Sequence, residues 1–124
     1  MAMTLTMDAR NALAEFFASC LDGGKMVFKT SGDSEVATCT FGNPAFGSAS
    51  NGVVIAEAIT PDTDAAGGIV DHVVLVAKDD DTAVICKLTA TVTGGGGDVT
   101  MSNLTIGNGD TVEVTGGTIT WPES

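Results

Sequence analysis

Apolar residues near the start of the chain recur at helical spacing. Between residues 9 and 21 they follow steps of three and four, at Ala9, Leu13, Phe16, Phe17, Cys20 and Leu21. Such a period gathers side chains into one stripe, so the pattern predicts an amphipathic helix over residues 7–22. Thr6 or Asp8 can accept hydrogen bonds from the first free N–H groups, and Gly23-Gly24 supplies a left-handed stop.

After Gly24 the chain changes to runs rich in Val, Ile and Thr, separated by Gly, Asn, Asp and Pro. Runs of this kind are typical of strands in an antiparallel sandwich. The predicted strands are Lys25–Thr30, Val36–Phe41, Gly52–Ile59, Ile69–Lys78, Ala83–Val92, Val99–Ile106 and Thr111–Trp121. We therefore expect a single mainly β domain over residues 1–124: one N-terminal helix, then a jelly-roll-like antiparallel β-sandwich of six or seven strands over residues 25–121.

Turn residues and one mostly apolar run refine this expectation. Ser31-Gly32-Asp33 and Asp79–Asp81 have the composition of hairpin turns, and Asn108-Gly109-Asp110 separates the last two predicted strands. The run Ile69–Ala77 barely alternates, which predicts a central strand covered on both faces. Gly94–Gly97 suggests a flexible, linker-like loop.

The charge of the chain limits the classes of partner that it can bind. Sixteen acidic residues against five basic ones give a formal net charge of -11, which repels phosphate backbones and anionic membrane surfaces. We accordingly expect neither nucleic acid nor membrane as a partner, and no apolar run reaches the roughly 20 residues of a membrane span. The cysteines are three in number, Cys20, Cys39 and Cys86, and we expect them to be buried, unpaired thiols.

Few residues could carry catalytic or metal chemistry. His72 is the one histidine, so a site with two imidazoles is impossible and a nucleophile–His–Asp triad would depend on it alone. Its place in an apolar run favours a structural or interface histidine. Asp79–Asp81 could join Asp62 and Asp64 around a hard cation, but the spacing matches no calcium loop, and a solvated turn is the simpler interpretation.

These observations predict a binding domain and not an enzyme, with no catalytic, cofactor-binding or metal-ligating residue. For an interface with a partner we select Phe46, Asp71, His72 and Trp121. Trp121 is the lone tryptophan, a residue type that often anchors interfaces.

Several short motifs resemble a group of small structural proteins of tailed bacteriophages. In order they are Ala9-Arg10-Asn11-Ala12-Leu13, Asn43-Pro44-Ala45-Phe46-Gly47, Asn51-Gly52-Val53, Ile59-Thr60 and Ile119-Thr120-Trp121-Pro122. The resemblance covers residues 9–122. It departs from the group in the middle, where Ile69–Val73 replaces a Gly-Trp-Phe-Arg-like strand.

The resemblance implies a virion protein, and capsid cement or decoration is the role that we favour. Its partners would be the major capsid protein and neighbouring copies of itself, on the capsid surface, after synthesis in the host bacterial cytoplasm. Two alternatives remain open: a receptor- or carbohydrate-binding module of a tail or fibre, and a tail or head–tail connector protein. The number of copies in a particle would separate them.

Overall fold

A computed structural model describes residues 4–77, 80–115 and 118–120, and it is mainly β with one helix near the N-terminus, as predicted. The elements are α1 (Met7–Ser19), β1 (Lys25–Lys29), β2 (Glu35–Thr40), β3 (Val53–Ile55), β4 (Gly68–Ile69), β5 (His72–Ala77), β6 (Asp80–Val92), β7 (Val99–Met101), β8 (Thr105–Ile106) and β9 (Thr118–Thr120). Among the described residues, no helix has the length and apolarity needed to cross a membrane.

The helix begins where the sequence predicts and ends earlier. The Thr6 hydroxyl accepts a hydrogen bond from the Ala9 backbone N–H at 3.2 Å, so Thr6 is the N-cap. The last helical residue is Ser19 and not residue 22. The chain already turns from there, with the Leu21 N–H donating to the Ala18 carbonyl and Gly23 adopting a φ of 68°.

A five-stranded sheet in the order β2-β1-β5-β6-β7 forms the centre of the molecule. As predicted, the run at residues 69–77 supplies the middle strand, β5, in which His72 to Val76 are all buried. The start of that run differs from the prediction, because Ile69 belongs to β4 and is 64% exposed. Strand β5 pairs antiparallel with β1 on one side and with β6 on the other. The hairpin between β1 and β2 is also confirmed. The last pair differs, because β6 and β7 run parallel and make this a mixed sheet.

The remaining strands are shorter than predicted. Only Val53–Ile55 of the run at residues 52–59 is a strand, and it pairs with β9. The run at residues 99–106 divides into β7 and β8, and β8 pairs with β4. The last predicted run keeps β9 and an isolated bridge between Asp62 and Val112. The described strands thus form a curled mixed sheet with two short pairs, and the jelly-roll-like sandwich stays a prediction.

One hydrophobic cluster connects the sheet with the helix. Alternate residues of β1, Met26 and Phe28, enter it beside Leu75 of β5, and the helix contributes Ala14 and Ala18. Of the three cysteines, only Cys39 is fully buried, while Cys20 and Cys86 are partly exposed, and all three are free thiols.

The glycine-rich loop between β6 and β7 is packed and not linker-like. A side chain at Gly95 would place its Cβ 2.8 Å from the Cβ and Oγ1 of Thr91, and one at Gly97 would meet Thr91 at 2.9 Å. Gly94 and Gly96 have φ angles of 92° and 82°, which other residues rarely adopt. The Gly97 N–H donates to Thr91 Oγ1 at 3.0 Å. The loop therefore wraps around one threonine side chain.

Asp98 completes this loop. Its carboxylate accepts hydrogen bonds from the backbone N–H and the hydroxyl of Thr89, both at 3.1 Å. Parallel neighbours usually need a crossover of a dozen or more residues, whereas residues 93–98 suffice here. Such a short return is possible because the glycines permit close contact and Asp98 fixes the end of the loop.

We predict that Gly95→Ala lowers the free energy of unfolding by about 1–3 kcal/mol, because the added methyl group collides with Thr91. Gly32→Ala is the control: its Cβ would lie 3.9 Å from its nearest neighbour, so the change should stay within about 0.5 kcal/mol. Urea denaturation measures both. Equal stability of the two variants would contradict a packed loop.

Candidate functional site

The structure gathers two of the four predicted interface residues into one cluster. Nδ1 of His72 lies 2.9 Å from Oδ2 of Asp71, and Nε2 lies 2.8 Å from Oδ1 of Asp33. The histidine side chain is 7% exposed, whereas those of Asp71 and Asp33 are 56% and 72% exposed. Asp33 belongs to the turn between β1 and β2, so the cluster connects that turn to the start of β5.

This geometry supports a structural role for His72. Both ring nitrogens face carboxylate oxygens, so neither is left to take a proton from a substrate. The two contacts hold the hairpin turn against the start of the central strand.

Among the predicted cation ligands, the Asp62 carboxylate has another task. Oδ2 of Asp62 accepts the Thr38 backbone N–H at 2.8 Å, and Oδ1 accepts the Asp64 N–H at 2.9 Å. Asp62 thus satisfies one backbone N–H on the edge strand β2. Asp79 lies outside the described residues, and the described part contains no group of three or more His, Cys, Asp or Glu side chains that could hold a metal.

Phe46 lies in the core and not on the surface. It is 8% exposed, and its ring centroid lies 5.7 Å from that of Phe41. It lines a cleft of about 800 Å³ together with Met26 and Phe28. The fourth predicted residue, Trp121, lies outside the described part of the chain.

The outward face of α1 differs from the prediction, because it carries large apolar residues. The structure buries Ala14 and Ala18 and leaves Leu13 and Phe16 exposed, with Phe16 72% exposed. Four residues fall within roughly 60° of one another around the helix axis, on the side away from the two buried alanines. They are Ala9, Leu13, Phe16 and Cys20, which we call the outer stripe.

Polar residues of the helix fix this orientation. The Arg10 guanidinium donates to the Asn51 carbonyl at 3.0 Å, and the Asn11 side-chain oxygen accepts the Gly52 N–H at 2.8 Å. One turn further, the Glu15 carboxylate accepts the Ala49 N–H at 2.7 Å. These three bonds tie α1 to the loop before β3 and leave the outer stripe facing away from the core.

The sequence did contain a signal for this surface. Ala14, Ala18 and Leu21 follow the same steps of four and three as the larger residues, so two apolar faces compete for the core. The face with the smaller side chains packs inward, where the helix contacts β3 and β9. The hydrogen bonds from Arg10 and Asn11 can form in this orientation. Phe17 and Leu21 turn inward, Leu13 and Phe16 are exposed, and Ala9 and Cys20 are half-buried.

Comparison with protein-family models, with curated proteins and with solved structures gives no match to this chain.

We predict that Asp33→Asn lowers the free energy of unfolding by about 0.5–1 kcal/mol, because the hydrogen bond between a carboxylate and the His72 ring is weakened at an exposed site. Asp64→Asn, at an exposed aspartate outside the cluster, should change it less. The difference between the variants should shrink in about 1 M NaCl. Equal effects of the two variants in urea denaturation would contradict a stabilising role for the contact between Asp33 and His72.

The buried thiol of Cys39 makes the stability of the fold depend on pH in the alkaline range. Burial raises the pKa of this thiol above 9.0, while a backbone hydrogen bond from Asp62 lowers it and the Asp62 charge raises it again. The folded state thus holds the proton more tightly than the unfolded state, so this stabilisation is present below about pH 9 and falls above it. Cys39→Ala should therefore cost about 1–2 kcal/mol near pH 8 and less near pH 10.

The control is Val36→Ala, which shortens a fully buried side chain of the same strand that carries no thiol. Its cost should be the same at both pH values. Urea midpoints at the two pH values measure both variants, and parallel costs for Cys39→Ala and Val36→Ala would contradict the prediction.

Proposed function

We propose that the protein is a structural component of a tailed-bacteriophage virion that binds the outside of the major capsid protein lattice and neighbouring copies of itself. The observation that carries this proposal is the outer stripe. A helix anchored to a β domain presents Leu13 and Phe16 to the outside, and exposed apolar side chains grouped on one face favour a protein contact.

The arrangement of the phage-like motifs supports the same proposal. Arg10 and Asn11 of the first motif bond to Asn51 and Gly52 of the third. Val53 of that third motif pairs in turn with Thr120 of the last. Motifs that are distant in sequence therefore form one structural unit, which gives a physical reason for their occurrence together.

A lattice makes weak contacts sufficient. A domain of this size can offer about 800 Å² to a partner, and repetition across a symmetric shell adds the contacts through avidity. The described part favours this role over carbohydrate binding, because Phe16 is its one strongly exposed aromatic side chain and sugar sites commonly stack on several.

The experiment adds purified protein to particles that lack it and images them by cryo-electron microscopy. We expect density repeated over the capsid lattice. Phe16→Ser should need at least about tenfold more protein for the same occupancy, since one buried aromatic contact is lost. Ile69→Ser, at a 64% exposed apolar residue of β4, is the matched control and should bind as the wild type does.

Absence of density from the lattice would overturn the proposal. Density confined to the tail tip, in few copies, would instead favour the receptor-binding alternative. A single ring at the vertex that carries the tail would favour the connector.

A further inference from the structure

We infer that the outer stripe pairs with the outer stripe of a second copy of this chain, as an antiparallel pair of α1 helices. This inference rests on the proposed function only in that both treat the stripe as a protein contact. It concerns the free protein and needs no capsid.

The spacing of the stripe is that of a helix–helix seam. Ala9, Leu13, Phe16 and Cys20 are separated by four, three and four residues, which is the alternation of a and d positions in a heptad. A period of 3.5 keeps side chains directed at a neighbouring helix along the whole contact. The core of the protein takes the other face of α1, through Ala14 and Ala18.

The order of side-chain sizes selects a second copy as the occupant. Along the stripe the residues are small, large, large and small, which is symmetric about the midpoint between Leu13 and Phe16. In a two-fold antiparallel pair, Leu13 of one copy meets Phe16 of the other, and Ala9 meets Cys20. Each large side chain then faces a large one, and each small side chain faces a small one.

Charge also favours this surface for self-association. Two copies of net charge -11 repel each other, so they can meet only where carboxylates are few. No acidic residue belongs to the outer stripe, and Glu15 is turned towards Ala49. The antiparallel arrangement also places the positive end of each helix dipole beside the negative end of the other.

The size of the contact sets the expected strength. A helix of 13 residues is about 20 Å long, and a single helix pair buries less than the roughly 1,200 Å² of a standard interface. We therefore expect a weak dimer that forms at high protein concentration. Because like charges oppose it, raising NaCl from about 0.05 M to about 0.5 M should strengthen it.

Cysteine crosslinking of the full chain tests the geometry, in a Cys86→Ser background that removes the other partly exposed thiol. One protein keeps Cys20, and the other carries Ala9→Cys with Cys20→Ser. Under mild oxidation the mixture should form a covalent heterodimer. Neither protein alone should crosslink, because like positions lie roughly 16 Å apart along an antiparallel pair, beyond disulfide reach.

Sedimentation equilibrium provides the second measurement. Phe16→Ser should weaken the dimer at least about tenfold, and Ile69→Ser should leave it unchanged, with circular dichroism showing that both variants are folded. Crosslinking of Cys20 to Cys20 would overturn the antiparallel pair. A protein that stays monomeric at millimolar concentration in high salt would overturn self-pairing. If Phe16→Ser still reduced capsid occupancy in that case, the stripe would be a capsid contact and the proposed function would stand.

Discussion

The pairing of β5 with both of its neighbours is the constraint on which the rest of this structure depends. Every position from His72 to Val76 is buried, so the strand must be covered along both edges and on both faces. Its partner β1 brings β2 through an antiparallel hairpin, and its partner β6 brings the parallel strand β7, which sets the order of the sheet. His72, the first residue of the same strand, contacts Asp33 of the β1–β2 turn. This polar contact adds to the pairing of β1 with β5 in holding the hairpin in place.

The helix shows how polar contacts can decide between two apolar faces. Burial alone would favour the side with Leu13 and Phe16, since larger side chains gain more from leaving water. Instead, bonds from Arg10 and Asn11 to the loop at residues 49–52 fix the rotation of the helix, and the alanines fit the space beneath it. The consequence is an exposed apolar stripe that hydrogen bonds from the same helix hold in place.

Period, turn chemistry and composition were enough to predict the elements near the core. The helix start, the β1–β2 hairpin and the central position of β5 all follow from local pattern. What sequence could not supply were contacts between distant residues. Nothing local indicates that Asp33 approaches His72, that Thr91 fills the glycine loop, or that α1 rotates its smaller face inward. Each of these contacts depends on how the fold brings distant residues of the chain together.

The loop at residues 93–98 has a practical meaning for anyone who would use this domain as a display scaffold. Four consecutive glycines invite the insertion of a foreign peptide, because such composition usually marks a tolerant spacer. Here the backbone encloses Thr91, and Asp98 is held at Thr89, so an inserted segment would separate β7 from β6. The turn at Ser31–Gly32 is the better position for a graft, since both residues are exposed and a side chain at Gly32 would meet only Thr30 Oγ1, at 3.9 Å.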